Sequence, residues 1–293
     1  MSAGHNHDHQ HGSSGNLKLA FFLNLSFTII EIFGGFWTNS IAILTDSVHD
    51  LGDSISLGLA WYFENLSKKG RTPLHTYGYR RFRLMGGLIT GFMLLIGLSF
   101  VLYHAVLRLN HPQEVNAQGM IWLAVLGVAF NGIAVLRMKH GTSLTEKLVS
   151  WHLIEDALGW IAVLLGAGIM MIWDVPFIDP LLSICISLFV LWNVIRNLKK
   201  VFSVILQTVP EDFDITEFER KVTEVSEISS IHHVHCWSID GESHVLSAHL
   251  VVNHGVENYA EIKAKVRDFL DEHHFEHVTL EIVKEGESCR IAP

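Results

Sequence analysis

The sequence predicts a membrane domain of six helical spans followed by a small α+β domain of soluble character. Three observations carry that prediction. Hydrophobic residues fill 49% of the 293 positions and charged residues only 17%, below the roughly 25% usual for a soluble globule. Six apolar windows, at about 17–37, 41–63, 84–107, 118–136, 148–173 and 177–198, each approach the roughly 20 residues a helix needs to cross hydrocarbon. Charge is also unevenly divided. Residues 1–208 hold 14 Lys/Arg against 12 Asp/Glu and residues 209–293 hold 7 against 18, so a body of +2 precedes a tail of −11. The expected organisation is a loose His-rich tail at 1–16, a spanning domain at 17–208 and a polar domain at 209–293.

The elements follow in order. Residues 1–16 have no basic stretch leading into a short apolar core, so nothing there reads as a cleavable signal. Pro73, Pro112, Pro176 and Pro210 fall in connections, and Pro180 suits a first helical turn. Thirteen Lys/Arg of the spanning domain collect on one side of the predicted helices and Arg108 alone on the other, which places both termini in the cytoplasm. Trp37, Trp122 and Trp173 near one boundary, with Trp61 and Trp151 near the other, read as aromatic belts. Past Pro210, residues 214–228 carry Ile215, Phe218, Val222 and Val225 on one helical stripe. Residues 232–239 and 244–252 alternate as strands around Asp240-Gly241, 258–274 read as a second amphipathic helix, and 277–283 as a third strand. The order αββαβ gives a sheet with helices on one face.

Composition also excludes functions. No basic face exists for a nucleic acid. Cys185, Cys236 and Cys289 have no CxxC spacing, so neither a disulfide scaffold nor a thiolate zinc site is expected. The 19 histidines are the unusual feature. His5, His7, His9 and His11 alternate with small or polar residues, and a loose tail of imidazoles can collect zinc, copper or nickel. Within the predicted second and fifth helices, His49 precedes Asp53 and His152 precedes Asp156 by four residues, one turn apart on one face. A carboxylate at membrane depth costs about 2.5–3.5 kcal/mol on insertion scales, so matched pairs in two apolar helices imply use. Together they supply two imidazoles and two carboxylates, enough for one tetrahedral zinc with no water. Asp50 and Glu155 read better as a structural polar network, as do Asn24, Glu31 and Asn131.

These residues carry a resemblance. Asp46, His49-x-x-x-Asp53, His152-x-x-x-Asp156, the loop His75-Thr76-Tyr77-Gly78-Tyr79-Arg80-Arg81 and the tail segments Val234-His235-Cys236-Trp237-Ser238 and Leu246-Ser247-Ala248-His249-Leu250 resemble the cation diffusion facilitator family, zinc-transporter branch. The likeness spans almost the whole chain; one departure is Arg83, where many members carry Glu. It implies a homodimer with six spans and a cytoplasmic ferredoxin-like domain, exchanging cytoplasmic divalent metal for protons. It also implies His49, Asp53, His152 and Asp156 as the transport site. We expect an integral protein of a bacterial inner (plasma) membrane, a secondary active transporter and not an enzyme. No resident cofactor is expected, since zinc is both cargo and regulatory ion. Because zinc binds neutral imidazole and ionised carboxylate, protons compete for the same atoms, and histidine titrates near the relevant pH.

In the polar domain, alternation puts Leu246, Leu250, Val278, Leu280 and Ile282 on the core face and His249, His277 and Glu281 on the opposite one. That suits a second metal site. The resemblance points to His232 and His249 as ligands, whereas alternation groups His233 with His235, and the pattern leaves the face of the first strand open. Cadmium or cobalt as main cargo remains an alternative, with iron and manganese further off because two imidazoles suit a softer ion. An intramembrane metal hydrolase is disfavoured by the lack of HExxH. A metal sensor that does not transport would leave the paired intramembrane residues idle.

Overall fold

The computed structural model describes residues 10–67, 69–138, 144–173 and 175–287. Six long helices come first: α1 (Gln10–Thr38), α2 (Ile41–Ser67), α3 (Phe82–Asn110), α4 (Ala117–Met138), α5 (Leu144–Trp173) and α6 (Ile178–Ile205). After them come α7 (Ile215–Thr223), β1 (Ile228–Ser238), β2 (His244–Val252), α8 (Tyr259–Asp268) and β3 (Phe275–Lys284). The chain divides into two units. One joins Met1–Phe63 to Gly86–Leu198, and the other joins Glu64–Met85 to Lys199–Pro293. The α2–α3 loop therefore belongs with the C-terminal domain. Helix α1 begins at Gln10, inside the stretch expected to be a loose tail, although Gly12 and Gly15 are weak helix formers. His5, His7 and His9, and the His11 side chain, lie outside the described residues.

The helical unit exposes large apolar side chains and buries, beside its apolar cores, a group of polar ones. Phe33, Phe36, Trp37, Trp122 and Trp173 are each at least 65% exposed, while Glu31, Thr45, Asp46, Ser47 and Asp50 are buried. That arrangement is what a hydrocarbon surround selects. Among the described residues, Phe82–Asn110, Ile154–Trp173 and Ile178–Ile205 are long and apolar enough to cross a bilayer, and Ala117–Ile133 is a shorter apolar helix. Helix α2 departs from that standard by carrying Asp46, Asp50 and Asp53 within eight residues. One core joins Phe27 of α1, Ala42 and Ile43 of α2, Met120 and Ala124 of α4, and Trp160 and Val163 of α5. Another joins Leu94 and Leu98 of α3 to Val190, Val194 and Leu198 of α6.

Close approach of α4 to α5 rests on Gly127. A Cβ there would stand 2.3 Å from the Trp160 ring, itself only 1% exposed. The indole is rigid and walled in, so Gly127→Ala must push α5 away from α4. We expect a loss of about 1–3 kcal/mol, read as a lower thermal midpoint, with Trp160→Leu restoring part of it. An unchanged midpoint would contradict this packing.

The second unit is a three-stranded sheet of order β1-β2-β3, with β1 antiparallel and β3 parallel to β2. Phe218 and Val222 of α7 and Ile262 and Val266 of α8 cover Cys236, Leu246, Leu250 and Leu280 of the sheet. Asp214 caps α7 by accepting from the Thr216 and Glu217 amides, and Asn258 caps α8 by accepting from Glu261 N. The Cys236 thiol is packed in this core, and burial together with Asp212 pushes its pKa up to about 12, so it is an inert core group.

The α2–α3 loop is fastened onto this sheet. The Arg80 guanidinium donates to Glu276 and to Ser243 Oγ, and Arg83 Nη1 lies 3.5 Å from Glu242 and 3.9 Å from Asp240. Tyr77 meets the edge of the His277 ring at 5.1 Å. Gly78, at φ +73°, closes the loop by donating its amide to the His75 carbonyl. Arg80 holds the Glu276 carboxyl below its usual range. A depressed carboxylate stabilises above its unfolded value and loses that contribution as pH falls through the folded one. The pair should therefore persist through the ordinary carboxylate range and yield first to salt. Exposed pairs contribute about 0.2–1 kcal/mol each. We expect Arg80→Glu to raise amide exchange across residues 77–84 without changing the global midpoint, and Glu276→Arg in the same chain to reverse the rise. Equal exchange in wild type and Arg80→Glu would show that the ion pair does not hold the loop.

Candidate metal centre

Helix α2 presents an acidic face, and its neighbours explain how so many carboxylates are accommodated. His49 Nε2 lies 3.6 Å from Asp53 Oδ2, the pair being 18% and 23% exposed, so the one-turn spacing does bring the two side chains together. Asp156 of α5 stands within electrostatic reach of Asp46 and Asp50, as does Asp53. A Cβ at Gly159, one turn beyond Asp156, would sit 3.9 Å from Asp46 Oδ1, ordinary van der Waals distance, so this turn of α5 lies beside Asp46 of α2. Three of the four residues expected at this site, His49, Asp53 and Asp156, thus share one electrostatic neighbourhood of α2 and α5. The His152 side chain lies outside the described residues. Asn24 of α1 donates to the Asp50 carbonyl and to Ser54 Oγ, and Asn193 of α6 donates to Glu155 at 3.4 Å, so Asn24 and Glu155 bond between helices. Glu31, 1% exposed on α1, has Asp50, Asp46 and Asp156 as its electrostatic neighbours.

A second cluster lies on the sheet face away from α7 and α8. His232 pairs with His249 across β1 and β2, and His249 with Glu281 across β2 and β3. His249 Nε2 is 3.3 Å from Glu281 Oε2. Between His232 and His235 the register shifts, and His233 takes a left-handed φ of +50°. This β-bulge turns His233 onto the face used by His232. Ring centroids of His232 and His233 lie 5.1 Å apart, His233 and His249 5.1 Å, and His232 and His249 5.5 Å. Imidazoles bound to one tetrahedral zinc at 2.0–2.1 Å have centroids about 5 Å apart.

The buried His232 Nδ1 has no hydrogen-bond partner among the described residues. Burial, with His233 and His249 beside it, lowers the His232 pKa below its ordinary value, keeping the ring in its neutral, metal-binding form. Among the described residues no three His, Cys, Asp or Glu side chains already converge on a single point, so side-chain turns must complete either site. His277 is not in this group. It pairs with Val245, four residues along β3 from Glu281, about 13 Å away at strand rise, and its ring packs on Tyr77.

Residues 17–206 match the family described as the cation efflux transmembrane domain. The chain belongs to the cation efflux (cation diffusion facilitator) family. Within it, the chain is 32% identical to the "Cadmium, cobalt and zinc/H(+)-K(+) antiporter" of Bacillus velezensis, over 95% of this chain and 91% of that one. It is 31% identical to the "Metal cation efflux system protein CzcD" of Cupriavidus metallidurans, over 96% and 90%. It is 29% identical to the "Zinc transporter ZitB" of Escherichia coli K12, over 96% and 92%. The solved metal-bound C-terminal domain of the Cupriavidus CzcD transporter aligns at 24% identity and a TM-score of 0.23, covering 24% of this chain and 99% of that one. This chain is accordingly a membrane transporter for export of divalent metal cations.

Two features of this cation efflux protein were not legible in its sequence. His233 joins His232 and His249 only through the bulge, and a left-handed histidine has no sequence signature. Arg80 and Arg83 read as topology-setting charges, and their carboxylate partners Glu276, Asp240 and Glu242 lie more than 150 positions away along the chain.

Proposed function

We propose that this transporter exports zinc from the cytoplasm in exchange for protons, with alternating access to one site formed by His49, Asp53, His152 and Asp156. The observation that carries the reading is the His/Asp pair of α2 with the Asp156 carboxylate of α5 in its electrostatic neighbourhood. The His49–Asp53 pair lies 3.6 Å apart, and Asp156 joins the same acidic cluster inside a body whose outer surface is apolar. Two imidazoles and two carboxylates satisfy zinc without water, which suits carriage rather than hydrolysis. Protons and zinc compete for these ligands. A more acidic outer side therefore protonates them when the site faces out, expels the ion, and returns protons inward when the empty site turns back. Both termini are cytoplasmic in this reading, and the chain acts as a homodimer in a plasma membrane.

The His232, His249 and Glu281 cluster, completed by His233, supports a regulatory zinc site that reports cytoplasmic supply. His277 serves the loop contact instead. Cadmium and cobalt are the next candidates, because the Bacillus and Cupriavidus relatives are at least 30% identical and the former's name includes both metals. The test is zinc-65 entry into proteoliposomes of the full chain under an imposed pH gradient. Uptake should follow the gradient and collapse with a protonophore; uptake indifferent to the gradient would sink the antiport reading.

A further inference from the structure

The corner between α1 and α2 is held by charged side chains from helices other than its own. A helix leaves its first N–H groups and last C=O groups without internal partners. At the start of α2 those amides are served from α6. Asp179, fully buried, accepts from Ile41 N at 2.8 Å, from Ala42 N at 3.2 Å and from Ser40 Oγ at 2.5 Å. Ser40 Oγ in turn accepts from Ile43 N at 3.1 Å. At the end of α1, Asn39 is left-handed with φ +56°, and Arg108 of α3 donates to both its carbonyl and its Oδ1 at 2.7 Å.

The signs match the helix ends. An anion faces the positive start of α2 and a cation faces the negative end of α1. The α3–α4 loop adds Asn116 N to Thr38 O and Asn39 Nδ2 to Glu114 O. One turn into α2, the Thr45 and Ser183 hydroxyls meet at 2.6 Å. Past Ser54 the packing of α2 changes character. Gly58 faces Phe21, and Leu59 and Phe63 lie against Gly86, contacts that tolerate sliding because they have no directional partner.

We propose that Asp179 and Arg108 are positioning residues that fix this corner as the pivot of α2 during transport. The proposal rests on the reading that α2 carries His49 and Asp53 as metal ligands. Those residues lie 8 and 12 positions from Ile41, about 12–18 Å down the helix. A tilt of about 10° around the corner then shifts them roughly 2–3 Å at that helix rise, enough to make or break a metal shell. Sliding the corner instead would strand a buried carboxylate and several buried amides. Arg108, the one cation on its side of the predicted spans, thus holds the end of α1.

The decisive experiment is hydrogen exchange on the full chain in nanodiscs, with zinc and with chelator at one pH. Protection over residues 39–46 should be the same in both, while protection over 55–67 changes. Equal change in the two segments would overturn the pivot. In proteoliposomes, Asp179→Ala should lower the maximal zinc flux by about tenfold, in line with loss of several charged hydrogen bonds, with the zinc KM and the bound zinc count unchanged. Asp179→Asn, which keeps one acceptor, should recover part of that flux, and Arg108→Lys should outperform Arg108→Gln. Wild-type flux in Asp179→Ala would also overturn the proposal. Should Asp179→Ala fail to fold, the wild-type exchange pattern still decides. Failure of the ligand reading looks different: there, Asp53→Ala would keep its zinc.

Discussion

Replacing Asp53 or Asp156 by Ala is expected to abolish zinc flux while leaving the protein at least as stable as before. Both carboxylates stand within reach of Asp46 and Asp50, so like charges are crowded in a poorly solvated interior. Removing one relieves repulsion and desolvation, and Ala is the best helix former. Stability and activity should therefore move in opposite directions, as at sites where strain is kept for function. Loss of an outer partner costs a metal site roughly 10–100-fold in affinity or activity, and loss of a direct ligand should exceed that. The measurement pairs zinc-65 flux with a thermal midpoint in the same detergent. Full flux in either variant would remove that residue from the site, and a large fall in midpoint would make its role structural.

A second large effect is expected at the sheet. His249 sits between His232, His233 and Glu281, so His249→Ala removes the central member of the cluster. In the wild-type chain, zinc at 100 times its dissociation constant should stabilise the C-terminal domain by about 2.7 kcal/mol through binding the folded state alone. In His249→Ala that zinc-dependent gain should vanish, and His277→Ala should leave it intact. Differential scanning of the full chain with and without zinc reads both. A zinc response that survives His249→Ala but not His277→Ala would reverse the assignment of these two histidines.

The parts of the fold that obey a period were legible in the chain. Spacing of four placed His49 beside Asp53 because an α-helix repeats every 3.6 residues. Alternation placed His249 and Glu281 on one face and Leu246, Leu250 and Leu280 on the other, because a strand repeats every two. What escaped were features that depend on breaking a period or on contacts distant in sequence. The bulge at His233 resets the alternation of β1, so His232 and His235 share a face although they are three positions apart. His277 lies on the same face as Glu281, as alternation requires, yet register pairs it with Val245, four residues along β2 from His249. Asp179 and Arg108 cap helices other than their own, and nothing local in the chain reveals it. The acidic tail is partly explained in the same way: Asp240, Glu242 and Glu276 face the basic α2–α3 loop.

The central claim is that α2 and α5 share a single ion. It is tested most directly by counting zinc bound to the full chain after the sheet cluster has been removed by His232→Ala, His249→Ala and Glu281→Ala together. With His5, His7, His9 and His11 also replaced by Ala, one zinc per chain should remain, and X-ray absorption should show four nitrogen or oxygen neighbours with imidazole scattering and no sulfur. Adding Asp53→Ala alone, or Asp156→Ala alone, should each remove that same ion. A zinc retained at full occupancy in either background, with the other helix's variant abolishing it, would mean that the two helices do not share the site.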